Sequence, residues 1–257
     1  MCGRITLTTP RALVAEFGVS PAALDDAVPR WNIAPTQAAL VVVDAHRGWP
    51  HGAVATRPPS VITAMRWGLI PSWAKRPSSA LINARAETVM VKPAFRDAIR
   101  RRRCLVPVDG FFEWQQTDNG SRPYHISPDG GRLATFGGMW ESWKTPNDTW
   151  LHSFAIVTVA AAPPISGLHD RMPLLLAAEH RAAWLDEKLP NELLHTMLSP
   201  SPLEGWQIRE VSKRVNRPAN DDASCLDPPN PDESVDKPSV RRRSAKKKTP
   251  SGQGSLW

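Results

Sequence analysis

The 257-residue chain predicts a β-rich α+β domain with a few peripheral helices. Three observations predict it. The apolar runs are short and numerous, not long with a helical period. Gly and Pro residues, 15 and 26 of them, break those runs at frequent intervals. The few segments of helical period are brief and lie between strand candidates. A hydrophobic fraction of 41% supports a sizeable core, and the length suits one large domain or two small ones.

The elements follow in order. Residues 1–8 read as a short opening strand, and 11–17 as a helix with Pro10 near its start and Gly18 at its end. Residues 40–44 and 61–70 are strands, the second running into Pro71-Ser72-Trp73. Residues 93–103 read as a helix with a strongly basic end, followed by strands at 104–108 and 110–115. Further strands are expected at 124–126, 133–137 and 151–160, short helices at 179–186 and 191–198, and a closing strand at 207–211. From about Asp227 the composition turns to Pro, Ser, Asp, Lys and Arg with almost nothing apolar. Such a segment cannot bury enough surface to offset its chain entropy. The expected organisation is a folded domain over 1–226 and a disordered basic tail over 227–257. No internal repeat is found.

Composition narrows the function classes. The net charge is +7, and residues 228–257, with seven Lys/Arg and three Asp/Glu, supply +4 of it. The body is mildly basic, which suits an anionic partner. No apolar run reaches membrane-spanning length and no basic-then-apolar leader opens the chain, so a cytoplasmic protein without membrane contact is expected. Cys2, Cys104 and Cys225 are odd in number and lack CxxC spacing, which fits neither a disulfide framework nor a zinc site. The seven histidines include no pair at ligand spacing. No metal and no cofactor is expected.

Cys2 carries the most chemical information. Removal of Met1 would leave a residue with both a free α-amine and a free thiol. The amine condenses with an aldehyde to a Schiff base, and the thiol then closes a five-membered thiazolidine. Near neutral pH, with pKa values of about 8 and about 8.5, both groups are partly nucleophilic. By position alone, Cys2 reads as an early residue of the first strand; the rest of the chain reverses that reading.

Three further motifs offer chemistry, each with a plainer alternative. In Leu81-Ile82-Asn83-Ala84-Arg85-Ala86-Glu87-Thr88, an extended segment would turn Asn83 and Arg85 to one side, offering an amide and a guanidinium to one ligand. A turn Asn and a surface ion pair fit as well. In Val108-Asp109-Gly110-Phe111-Phe112-Glu113-Trp114, aromatic neighbours would desolvate Glu113, raise its pKa and suit it to proton transfer. It could instead occupy the polar face of a strand. In Gly167-Leu168-His169-Asp170-Arg171-Met172-Pro173, His169 could shuttle protons while Asp170 or Arg171 orients it or holds an anion. An Asp–Arg pair bracing the loop reads equally well. Eleven Trp against one Tyr is unusual. Trp67, Trp73 and Trp114, set among Arg4, Arg66, Lys75 and Arg85, would give stacking faces and phosphate contacts for a single strand. A Trp-rich core accounts for several of the eleven.

In this order the pieces resemble the SRAP family, the SOS-response-associated peptidase proteins of bacteria and their eukaryotic relatives. The resemblance spans roughly residues 2–226. It rests on Cys2-Gly3-Arg4, Trp31-Asn32-Ile33-Ala34-Pro35-Thr36-Gln37, Arg66-Trp67-Gly68-Leu69-Ile70-Pro71-Ser72-Trp73 and Ile82-Asn83-Ala84-Arg85-Ala86-Glu87-Thr88. It continues in Arg103-Cys104-Leu105-Val106-Pro107, Gly110-Phe111-Phe112-Glu113-Trp114, His169-Asp170-Arg171-Met172-Pro173 and Val215-Asn216.

The resemblance implies a barrel-like core of mostly antiparallel strands with peripheral helices. It also implies a protein that senses abasic sites in single-stranded DNA and cross-links to them through a thiazolidine at Cys2; a monomer is the default expectation, and the expected location is the cytoplasm in association with the nucleoid. By carry-over, Asn83 positions the Cys2 amine or the sugar, Glu113 handles protons and His169 assists sugar ring opening. Arg4, Arg85 and Arg171 meet the DNA backbone, and Trp67, Trp73 and Trp114 its bases. A Schiff base at C1′ could also drive β-elimination, a lyase activity. Two departures stand out. Ala161 and Ala162 follow the strand where the family usually has an Asn, which puts a DNA or loop contact in doubt and leaves Thr158 unassigned. Phe112 replaces the commoner Tyr and removes one hydroxyl.

Two other functions stay open at the level of sequence. One is a peptidase with Cys2 as an N-terminal, self-processing nucleophile, which would need an oxyanion hole and a base for the thiol. The other is a non-covalent single-strand-binding module, which would tolerate loss of Cys2. Separately, Gln253-Gly254-Ser255-Leu256-Trp257 resembles the short bacterial sliding-clamp-binding peptide, with Gln253, Leu256 and Trp257 as its anchors. A chance five-residue match is the alternative.

Overall fold

A computed structural model describes residues 2–44, 60–77, 81–118 and 120–230. Its strands are β1 (Ile5–Leu7), β2 (Arg30–Ile33), β3 (Ala38–Asp44), β4 (Ser60–Trp67), β5 (Asn83–Arg85) and β6 (Arg103–Val108). They continue with β7 (Gly110–Thr117), β8 (Gly120–Pro128), β9 (Ala134–Lys144), β10 (Trp150–Ala160), β11 (Arg171–Pro173) and β12 (Trp206–Glu210). The helices are short: α1 (Leu13–Phe17), α2 (Ala86–Val89), α3 (Arg96–Arg101), α4 (Arg181–Leu185) and α5 (Asn191–Met197). Among the described residues no helix is long and apolar enough to cross a membrane. The clamp-like residues Gln253, Leu256 and Trp257 lie outside the described residues, as does most of the predicted tail.

The strands form two sheets. One runs β12-β8-β7-β1-β2, with every pairing antiparallel. The other runs β11-β10-β4-β3-β6-β9, and a further β9–β10 pairing closes five of its strands into a ring. The expected barrel-like, mostly antiparallel core is therefore present. Only β10 departs from antiparallel order, pairing in parallel with β4 and then β5. Closure removes edges and buries both faces of the central strands. Apolar side chains such as Leu105, Val106, Phe136, Met139, Phe154 and Ile156 are accordingly 0–1% exposed.

Two glycine positions make this geometry feasible. At Gly138 an added Cβ would stand 2.9 Å from the Cys104 sulfur and 3.1 Å from the Ala155 carbonyl, so the closed ring needs a residue without a side chain there. Gly68 has φ +122°, a conformation that L side chains rarely adopt. There the chain leaves β10: Gly68 N–H donates to the Phe154 carbonyl at 2.8 Å, and Ile156 N–H takes up the Ile82 carbonyl at 3.0 Å. Residues 69–77 form an excursion from the edge of β10 that β4 and β5 share. This turn is why the strand predicted over 61–70 ends at Trp67.

Other differences have local causes. The helix predicted over 93–103 contracts to Arg96–Arg101, since β6 claims Arg103 through its pairing with Met139. The strand predicted over 133–137 runs on to Lys144 along β10, although Gly and polar residues interrupt its apolar pattern. The short strands β2 and β11 were not predicted as strands; long-range pairing, not local pattern, defines them.

Candidate functional site

The site lies where the N-terminal arm of the first sheet meets the β5 and β11 side of the second. Phe112 N–H donates to the Arg4 carbonyl at 3.0 Å, fixing the arm against β7. Continuing that register carries Cys2 alongside Glu113 and Trp114. Asn83 Nδ2 then donates to the Cys2 carbonyl at 2.7 Å and joins the two sheets. The Asn83 Oδ1 is buried and accepts no hydrogen bond among the described residues. An orphaned buried acceptor costs about 1–3 kcal/mol, so such a group points to a ligand.

Electrostatics couple the same residues. Cys2 is 0% exposed, and burial, with the Glu113 charge second, pushes its thiol well above the ordinary range. Glu113 is itself buried, and burial raises its carboxyl to about 7, with the Asp170 charge adding to the rise. His169 is part-buried, and burial lowers its pKa, favouring the neutral ring. Its Nδ1 accepts the Arg171 N–H at 2.9 Å, leaving the proton of the neutral ring on Nε2. A contact of 2.8 Å from the same Nδ1 to Asp170 Oδ1 becomes a true ion pair only on protonation. Asn83 and Glu113 thus stand at Cys2, and the charge of Asp170, next to His169, reaches Glu113.

The DNA-contact residues expected from sequence divide into two groups. Trp73, 67% exposed, and exposed Arg85 face solvent, as do Lys75 and Arg76. Trp114 is half-buried and donates through Nε1 to Asn216 Oδ1 at 2.8 Å. Trp67 is corrected: it is 0% exposed, stacks on Phe154 with centroids 6.2 Å apart and donates to the Ile82 carbonyl. It packs the barrel and offers no face to a base. Arg4 and Arg171 are each 8% exposed, and their guanidinium groups serve the protein. Arg171 makes a two-pronged pair with Glu87, at 2.5 and 3.0 Å, and donates to the Thr158 carbonyl. That pair holds Glu87 below the usual carboxylate range and locks the Asn83 segment to the His169 segment. Arg4 donates to Asn32 Oδ1 and to the Val215 carbonyl, both at 2.6 Å.

Sequence reasoning left Thr158 unassigned. The structure pairs it with both Arg85 and Pro173 and leaves its fully buried hydroxyl without a partner among the described residues. A lone polar residue in the apolar run of 154–159 was the available signal. Among the described residues no group of three or more His, Cys, Asp or Glu has a metal-holding arrangement. Cys2, Cys104 and Cys225 are all free and buried.

Comparison with known proteins identifies the family and the fold. A family model described as SOS response associated peptidase (SRAP) matches residues 1–218. The chain is 33% identical over 236 residues to the abasic site processing protein YoaM of Bacillus subtilis, covering 90% of this chain and 99% of that one. It is 32% identical to the abasic site processing protein HMCES of Xenopus tropicalis, covering 65% of this chain and 57% of the other. A solved structure from Bacteroides thetaiotaomicron superposes with a TM-score of 0.75 at 20% identity, over 88% of this chain and 99% of that one, a likeness of fold alone.

Proposed function

The chain belongs to the SRAP family, and from that premise we propose that it senses abasic sites in single-stranded DNA and captures them covalently through Cys2. The names of its relatives, abasic site processing proteins, support the substrate. The observation that carries the reading is the cluster itself: Asn83 bonded to the Cys2 carbonyl, with Glu113, raised to about 7, beside it.

The chemistry follows from those groups. Once Met1 is removed, the Cys2 amine adds to the C1′ aldehyde of the ring-opened sugar and expels water as a Schiff base. The thiol then adds to C1′, and its proton passes by way of the Glu113 carboxylate to the imine nitrogen, which becomes the ring amine of a thiazolidine. A carboxyl near pKa 7 exchanges protons in both directions at neutral pH. The neutral His169 ring donates from Nε2 to the sugar oxygen as the ring opens. Asn83 Oδ1 accepts from the Cys2 amine or a sugar hydroxyl. Trp73 and Arg85 meet a base and a phosphate of the flanking strand.

The peptidase reading shares Cys2 and takes support only from the family description. The Gln253, Leu256 and Trp257 anchors fit a sliding clamp; deleting Leu256 and Trp257 should abolish clamp binding and spare cross-linking, and equal binding after deletion would retire that proposal.

The deciding experiment mixes Met1-processed protein with single-stranded DNA bearing one abasic site and resolves it on a denaturing gel. A slow band that is lost in Cys2→Ala and absent with intact DNA is the expected result. Shortened DNA strands would instead report lyase cleavage. No slow band, with Met1 removal verified by mass, would end the covalent reading.

A further inference from the structure

We propose that Asn32 is a positioning residue for Cys2, acting through Arg4; the inference rests on Cys2 as the reacting residue. Asn32 lies on β2 and is 0% exposed. Its amide is fully committed. Oδ1 accepts from Arg4 Nη1 at 2.6 Å. The two Nδ2 hydrogens are shared among the carbonyls of Val215, Arg217 and Asn220, at 3.2, 3.1 and 2.6 Å. Arg4 Nη1 also reaches the Val215 carbonyl at 2.6 Å. One side chain therefore ties the arm two residues behind Cys2 to a loop near the far end of the domain.

That loop is itself fastened. The Asp221 carboxylate accepts the backbone N–H groups of Trp31 and Asn32 at 2.7 and 2.8 Å and pairs with Arg30, so it caps the open edge of β2. The Asn216 amide oxygen accepts Trp114 Nε1, and the Arg4 guanidinium sits 5.6 Å over the Trp114 ring. Trp114 adjoins Glu113. The knot thus touches both the nucleophile's arm and the strand bearing the carboxylate, and it recruits Asn220 and Asp221, beyond the 1–218 that the family model matches.

The chemistry specifies an amide at position 32. An amide accepts from the guanidinium through its oxygen and gives two hydrogens to carbonyls through its nitrogen, whereas a hydroxyl has one hydrogen to give. An Asp there would accept from Arg4 but set its oxygens against carbonyls, and a Leu would satisfy neither side. Thiazolidine closure demands that amine, thiol and C1′ meet in one geometry, and a displacement of about 1 Å can cost about 10²-fold in rate. Arg4 on this reading is a strut, not a phosphate ligand.

The test uses full-length, Met1-processed Asn32→Asp, Arg4→Lys and Asn216→Leu. It measures single-turnover cross-linking to an abasic single strand across DNA and salt concentration, and hydrogen exchange at the amides of residues 3–8. The expected result for Asn32→Asp and Arg4→Lys is a saturating rate lower by about 10²-fold, with half-saturating DNA and salt slope unchanged and faster exchange in the arm. Asn216→Leu, which removes only the outer bond of the knot, should lose a few-fold. The proposal is overturned if Arg4→Lys keeps its saturating rate while the salt slope falls by about 0.7, the mark of one lost phosphate contact on a single strand. Unchanged arm exchange in the folded variants overturns it too. Should Asn32→Asp fail to fold, the other two variants decide. If wild type itself forms no cross-link, the abasic-site reading falls, and exchange still shows whether the knot holds the arm.

Discussion

Arg4 and Arg103 keep similar company and do different work. Each is buried, 8% and 4% exposed. Each leans over a Trp ring, Arg4 at 5.6 Å from Trp114 and Arg103 at 5.9 Å from Trp184. Each donates to backbone carbonyls. Arg103 gathers those of Ile99, Arg100, Trp184 and Asp186, and so clamps α3 and α4 onto β6. Arg4 gathers Val215, with Asn32 between, and so clamps the arm behind Cys2. Trp184 is fully buried, whereas Trp114 is half-buried beside Glu113. On the proposed reading, the same device serves folding in one place and the placement of a reactive group in the other. What distinguishes them is the neighbour, not the arginine.

The largest expected effect comes from breaking the Arg103 clamp. Arg103→Met leaves four carbonyls short of a donor, and each lost charge-assisted bond counts for about 1.5–3 kcal/mol. A loss of more than about 3 kcal/mol of unfolding free energy in a denaturant titration is expected. The cross-linking rate per folded molecule should not change. A folded Arg103→Met protein with a crippled rate would erase the contrast with Arg4.

The two clamps were not equally legible in the sequence. The strands at 104–108, 110–115 and 151–160 were legible because each holds a short apolar run bounded by turn or polar residues. Cys2, Asn83, Glu113 and His169 were singled out through chemistry and resemblance, and the structure sets Asn83 and Glu113 beside Cys2. The Asn32 knot was not, because its partners lie at positions 4 and 215–221 and no local pattern encodes a pairing across that span. Trp67 and Trp73 show the same limit. They stand on either side of Gly68-Leu69-Ile70-Pro71-Ser72, yet only the strand register tells which is core.

A second prediction asks why the Arg4 side of the comparison needs precise placement. Glu113→Gln removes the group proposed to exchange protons beside Cys2, and a loss of about 10²-fold in cross-linking is expected. In wild type the rate should climb as pH rises through about 7, where the Glu113 carboxyl ionises. In the Gln variant that step should vanish, leaving the rise of the amine near about 8. Stability gives an independent check with a definite sign. The folded carboxyl is raised from 4.5 to about 7, so between those values the folded state holds a proton that the unfolded state has lost. Wild-type stability therefore declines as pH rises through that window and stays lower above it. Glu113→Gln has no such decline, so its melting temperature should gain on wild type from pH 5 to pH 8. A constant difference across that range would mean that Glu113 is not held protonated by burial.

The smallest effect separates binding from both folding and placement. Trp73 is 67% exposed on the excursion that leaves the barrel at Gly68, with exposed Lys75 and Arg76 beside it. Trp73→Ala removes a stacking face, worth about 1–3 kcal/mol per base, and the low end suits so open a site. About 1 kcal/mol raises the half-saturating DNA concentration about five-fold. Melting temperature and saturating cross-linking rate should both stay at wild-type values, since Trp73 contributes little to the core and does not touch Cys2. Trp67→Ala is the matched control: it empties a buried site and should cost about 3–5 kcal/mol of stability. If Trp73→Ala instead lowers the saturating rate, the excursion helps to shape the pocket around Cys2, and the division between a rigid clamp and an open DNA-facing loop would have to be redrawn.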